Sequence, residues 1–173
     1  MSVWIESDLK WNNNTCSIIK KGRKRLYFLK VLKKYAARAK DLLSFYCSLI
    51  QSVLEYGDIL WHGGLTLLQS HDIERIQKRA LRIIVPHLKY EEALTTFKLT
   101  SSKERREKHC VKLIKQMLDM SHKLNYLLPE KVRDVWHRGT RYDGNKFYNV
   151  RCRTEHFKNS PLVLAIDKYN SSF

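Results

Sequence analysis

Cys152 and His156 stand four residues apart, and His109 adjoins Cys110; these are the groupings with any metal-binding flavour. A zinc ion takes four converging ligands, usually announced by Cys-x-x-Cys or His-x-x-x-His pairs, and neither spacing occurs. No His-x-Asp or His-x-Glu occurs either, so an iron-oxygenase triad is not expected. Tyr56-Gly57-Asp58-Ile59 offers one carboxylate, where a pair of catalytic magnesium ions needs at least two. Asp58 therefore reads as a helix-terminus residue. There is no Gly-x-Ser-x-Gly turn and no glycine loop of the phosphate-cradling kind. No catalytic centre, metal or cofactor is expected from these residues.

The chemistry that the residues do support is binding to a polyanion. Lys and Arg number 33 against 17 Asp and Glu, giving a formal charge of +16 and a pI near 9.8. Such a surplus points first to nucleic acid. From Lys20 to Lys40 ten residues are basic and none is acidic, whereas a solvated helix face normally mixes both signs. Lys20, Lys21, Arg23, Lys24 and Arg25 form the densest cluster and are expected to carry the main phosphate contacts. The same cluster also fits a nuclear-localisation signal, which places the protein in the nucleus or cytoplasm. Tyr27 and Phe28 follow, either as core residues or as platforms for bases. Arg75, Lys78, Arg79 and Arg82 make a second strip, partly neutralised by Asp72 and Glu74. Arg105 and Arg106 are expected on the outer side of a later helix. Arg151 and Arg153 belong to a basic and aromatic terminal stretch with Trp136, Arg138, Arg141, Tyr142, Phe147 and Tyr148.

The elements that must position these groups are mostly helices. Ile18, Ile19, Leu26, Leu29 and Leu32 give a first helix an apolar side, with the Asn12–Asn14 cluster as its cap. Leu42, Tyr46, Leu49, Ile50 and Val53 define a second, capped by Asp41 and closed by Gly57. A third runs from Thr66 to about Val85, where Pro86 stops it, burying Ile73, Ile76, Ala80, Ile83 and Ile84. A short helix is expected from Tyr90 to Phe97. A capping box at Ser101 and Glu104 then starts a helix reaching about Met120. Another short helix follows Leu127-Leu128-Pro129, to about Trp136. Val3 to Trp11 and Phe147 to Arg153 alternate like short strands, and Ser160-Pro161 opens a last helical turn ending near Tyr169. The expected fold is mainly α: a helical bundle core over 15–136, a short N-terminal strand within 1–14, and an irregular basic C-terminal tail over 137–173. No stretch is long and apolar enough to span a membrane, and the four cysteines have no framework spacing.

The order of several phrases resembles the region after the polymerase palm in LINE-type reverse transcriptases of the jockey, CR1 and RTE kind. The phrases are Val3-Trp4-Ile5 through Trp11, Lys24-Arg25-Leu26-Tyr27-Phe28-Leu29-Lys30, Phe45-Tyr46, Ser52 to Gly57, and Ile73 to Ile84. Tyr90 to Leu94, Arg105-Arg106-Glu107 and Cys152 to Phe157 complete the series. The resemblance implies a thumb-like domain at 15–136 behind the end of a palm-like strand. It implies a non-catalytic retrotransposon fragment, unable to polymerise alone. Its implied partners are RNA or an RNA–DNA hybrid, and the missing palm or an intact reverse transcriptase. The alternative is an inert or self-associating module exposing Trp4, Trp11 and Trp61. Residues 15 to 61 also resemble the N-terminal region of AlkB-type tRNA-modifying proteins. With neither an iron triad nor a methyl-donor glycine loop in the sequence, that second resemblance is expected to be uninformative about chemistry.

Overall fold

The computed structural model describes residues 2–8, 10–132 and 144–173. The described residues are mainly helical, as the apolar periodicity predicts. The chain divides into two compact units, one of residues 1–58 and 65–105, the other of residues 59–64 and 106–173.

In the first unit, α1 (Asn12–Lys34) buries Ile18, Ile19, Gly22, Leu26 and Leu29, a stripe recurring every three to four residues. Its start differs from expectation. Asn12 to Asn14 lie inside the helix, and the carboxylate of Glu6 accepts from the amides of Asn12 (3.1 Å) and Asn13 (2.8 Å). A negative group there satisfies free donors and suits the positive end of the helix dipole. Trp11, in the left-handed region at φ 62°, precedes the helix and is buried. This turn takes the place of the expected N-terminal strand, of which Leu9 lies outside the described residues.

The next helix begins at Ala39, two residues before the expected cap. Asp41 sits within α2 (Ala39–Phe45), bound by Arg38 through Nε at 2.9 Å. Its carboxyl is held below the ordinary range by that guanidinium. A π-helical stretch, Tyr46–Gln51, follows and leads into α3 (Ser52–Leu54). The wider turn explains why Tyr46, Ile50 and Val53 are buried while Leu49 is exposed. Gly57 reverses the chain with φ 64°.

α4 (Asp58–Trp61) begins at Asp58, consistent with its reading as a helix-terminus residue. α5 (Leu67–Ile84) opens at Thr66 with a full capping box: Gln69 N donates to Thr66 Oγ1 (3.2 Å) and Thr66 N to Gln69 Oε1 (2.9 Å). It buries Ile73, Ile76, Ala80 and Ile84; Ile83 is half-buried. α6 (Tyr90–Thr96) follows, then α7 (Ser102–Met117), whose first turn is capped by Ser101 Oγ accepting from Glu104 N.

α1 and α5 pack side by side and run parallel. At their N-termini Gln69 Nε2 donates to Asn12 Oδ1 at 2.8 Å. At their C-termini Lys33 Nζ donates to the Ile84 carbonyl at 3.1 Å. Gly22 lets them approach: a Cβ there would lie 3.2 Å from Leu54 Cδ2 and 3.3 Å from Ile76 Cγ2.

The second unit has its own core of Cys110, Ile114, Met117, Phe147, Ala165, Ile166 and Tyr169. Its last helices are α8 (Glu155–Lys158) and α9 (Pro161–Asn170); α9 matches the expected final turn. Residues within 144–173 supply part of that core. Phe147 is buried, and Asn170 binds its backbone on both sides, accepting from Phe147 N (2.9 Å) and donating to Phe147 O (3.1 Å). Instead of the expected strand from Phe147, one antiparallel bridge joins it to Lys131. The expected helix end near Trp136, and Arg138, Arg141 and Tyr142, lie outside the described residues.

Candidate nucleic-acid interface

The parallel packing of α1 and α5 leaves an open groove of about 560 Å³ along their C-terminal halves. Arg23 and Lys30 line it from α1, and Arg79 and Arg82 from α5. Leu26, Ile83 and Tyr27 complete the lining. Among the described residues none of these four cations is engaged in an ion pair. Two helix C-termini meet beside the groove, and their carbonyl ends favour the cations gathered there.

The sequence placed the cations on separate strips, and the fold brings part of each together. Lys20 and Lys24 are exposed and fall on the side of α1 that carries Arg23 and Tyr27. Lys21 and Arg25 point to the other flank, where Arg25 donates to the Leu49 carbonyl of the π-helical stretch. The five-residue cluster is therefore not one contact surface. On α5, Arg75 is paired to Asp72 at 3.0 Å, and Lys78 lies over the Tyr90 ring, 4.9 Å from its centroid. Lys30 was not singled out by sequence; its place seven residues after Arg23, two helical turns on, is the signal that would have found it.

Tyr27 and Phe28 are not core residues. They are 65% and 56% exposed and meet edge to face, with centroids 5.8 Å apart. Trp11 and Trp61, expected as exposed surface, are buried, while Trp4 is exposed.

Arg105 and Arg106 are turned inward and cannot line an outer face. Arg106 is fully buried; its guanidinium stands over the Trp61 ring at 6.0 Å, and Nε donates to His62 Nδ1. Arg105 donates to Glu55 Oε1 (2.5 Å), Gln77 Oε1 (2.5 Å) and the Thr100 carbonyl. The network continues: Tyr46 Oη donates to Gln77 Oε1 at 2.8 Å, and Gln77 Nε2 donates to Tyr90 Oη and Thr100 O, both at 3.0 Å. Tyr90 in turn donates to Glu74, which also accepts from Ser102 N. Burial pushes both phenols well above the ordinary tyrosine value; for Tyr90 the Glu74 carboxylate adds to the effect. Burial works against the Arg105 charge, but Tyr46 and Glu55 outweigh it and raise that group. A polar cluster this well satisfied fixes α3, α5, α6 and the start of α7 in register. Arg151 and Arg153 are exposed in the second unit. No helix among the described residues is long and apolar enough to cross a membrane.

The molecule is thus an α-helical protein with a cationic, aromatic-edged groove. Residues 11–52, which span α1, α2 and the π-helical stretch, match the family model described as alkylated DNA repair protein alkB homolog 8, N-terminal. No curated protein and no solved structure matches the chain. The family match overturns the reverse-transcriptase reading. The phrases Lys24 to Lys30 and Phe45-Tyr46 fall inside the matched stretch. With that correction the retrotransposon origin and the thumb-like role fall away, and what stands is the likeness of residues 11–52 to the AlkB-type region. Several of the phrases are amphipathic helix faces: Ile73 to Ile84, for instance, is the buried side of α5 with cations between. Among the described residues no three His, Cys, Asp or Glu side chains converge, so they do not fit an iron centre.

Proposed function

We propose that this chain is a nucleic-acid-holding module of an AlkB-type nucleic-acid modification system, contributing binding rather than catalysis. The family matched by its first helices is named for repair of alkylated DNA. The observation that carries the reading is the groove in which Arg23, Lys30, Arg79 and Arg82 converge from two helices without carboxylate partners. A phosphate backbone entering it would release counterions at each contact, giving affinity that depends on charge and not on sequence. RNA or DNA bearing the modified base is the substrate class, and a catalytic domain or partner acts on what the groove holds. The basic run of α1 suits a protein that works in the nucleus or cytoplasm.

Ultraviolet crosslinking of the purified chain to RNA, followed by peptide mapping, tests this assignment. Crosslinks should concentrate in the peptides of α1 and α5. Crosslinks confined to residues 144–173 would overturn it.

A further inference from the structure

Phosphate contacts alone need only an exposed cationic ridge. The groove between α1 and α5 has more than that: its volume of about 560 Å³ is in the range of small-ligand sites, roughly 300 to 1,000 Å³. Its lining is divided chemically. Four cations stand with the apolar side chains of Leu26 and Ile83, and with the ring of Tyr27. Leu26 is buried and Ile83 half-buried, whereas Tyr27 exposes most of its surface. Standing at the edge of the groove, that exposed ring leaves aromatic surface open to a planar ligand. Phe28 meets Tyr27 edge to face and restricts where that ring can turn. At the C-terminal end of the helix pair, beside the groove, Lys33 is bonded to the Ile84 carbonyl, which ties the two walls together.

Resting on the nucleic-acid reading above, we infer that this groove takes an unpaired nucleotide. Its base stacks on Tyr27 above Leu26 and Ile83, while flanking phosphates lie against Arg23, Lys30, Arg79 and Arg82. A base still paired in a duplex is covered on both faces by its neighbours and cannot offer one to a side chain. An unstacked base can, and aromatic stacking is indifferent to which base it is. The chain should therefore prefer single-stranded or looped segments over perfect duplex.

The test is fluorescence anisotropy with the full chain and a fluorescein-labelled single-stranded RNA of mixed sequence, free or annealed to its complement. Wild type should bind the single strand more tightly than the duplex at equal salt. Tyr27→Leu should lose about five- to a hundredfold on the single strand, lose clearly less on the duplex, and keep the salt slope, since no charge is removed. Tyr27→Phe should bind like wild type, because it keeps the ring. Tyr27 is exposed, so both variants should keep the wild-type circular dichroism and melting. If Tyr27→Leu binds the single strand as wild type does, while a variant with Gln at positions 23, 30, 79 and 82 loses binding, stacking is overturned and the phosphate groove stands. If the four-Gln variant also binds as wild type, both fail. Binding to anionic vesicles with no affinity for RNA would likewise overturn both.

Discussion

Arg105 marks the difference between a cation that binds a partner and one that holds the fold. Its side chain is mostly buried and is bonded to Glu55, Gln77 and Thr100. Arg105→Met would leave the Glu55 carboxylate buried without its counterion, and we expect a loss of about 3 kcal/mol, read by urea denaturation. Arg79→Gln, in contrast, should leave stability unchanged within about 0.5 kcal/mol, because its guanidinium faces solvent. Tyr46 and Tyr90 give this network a pH signature. Both phenols are held above the ordinary value of 10.0 in the folded chain. Below that value both states keep their protons and the two tyrosines confer no pH dependence. Above it the unfolded chain ionises while the folded chain does not, so stability falls as pH rises. Melting temperature should decline more steeply above about pH 10 in wild type than in Tyr46→Phe/Tyr90→Phe; equal slopes would show that these phenols ionise freely in the fold.

At the scale of elements, the helix pair α1 and α5 is what makes the groove. The turn after α1 places Ala36 in the left-handed region at φ 58°, with Ala36 N and Ala37 N closing on the carbonyls of Lys33 and Leu32. A Cβ in that conformation costs about 1 kcal/mol, and glycine is the usual occupant. Ala36→Gly should therefore stabilise the first unit by about 0.5–1 kcal/mol and raise its melting point; destabilisation would contradict this geometry. Gly22 bears the opposite constraint. Gly22→Leu must push into Leu54 and Ile76 where even a Cβ meets them at 3.2–3.3 Å, and it should cost about 1–3 kcal/mol. Because it separates α1 from α5, the same change should also weaken RNA binding without removing a charge. Helix positions were largely legible in the sequence, because apolar spacing, the Thr66 cap and the Pro86 stop are local signals. The π-helical turn was not. It shifts Leu49 out of a stripe whose spacing read as regular, and nothing in Tyr46–Gln51 announces it.

For the whole molecule, net charge leads to the expectation of a polyanion partner, but only packing selects which cations could meet one. Arg23 and Arg79 are far apart in sequence and share a groove. Arg105 and Arg106 look like Arg23 and Lys24 as letters, yet face inward. Tyr27 and Phe28 sit in an amphipathic repeat whose buried side is taken by Leu26 and Leu29; which aromatic neighbours are left outside depends on helix phase. The basic C-terminal region shows the same limit. It lacks a clear period, but Phe147, Ala165, Ile166 and Tyr169 close a second core with α7. The family resemblance went astray for a related reason: helix faces of similar composition recur in unrelated chains, and the family model that matches covers residues 11–52.

The proposed role of Arg23, Lys30, Arg79 and Arg82 is to act together as one phosphate-binding groove. It is tested most directly by RNA affinity measured across salt for wild type and for a variant carrying Gln at positions 23, 30, 79 and 82. Log affinity should fall with log salt less steeply in the variant, by about 3 to 4 in slope on duplex and somewhat less on single strands. Folding should be unchanged, since all four side chains line an open surface. An identical slope for a folded variant would mean that the phosphates are held elsewhere and that the groove does not bind them.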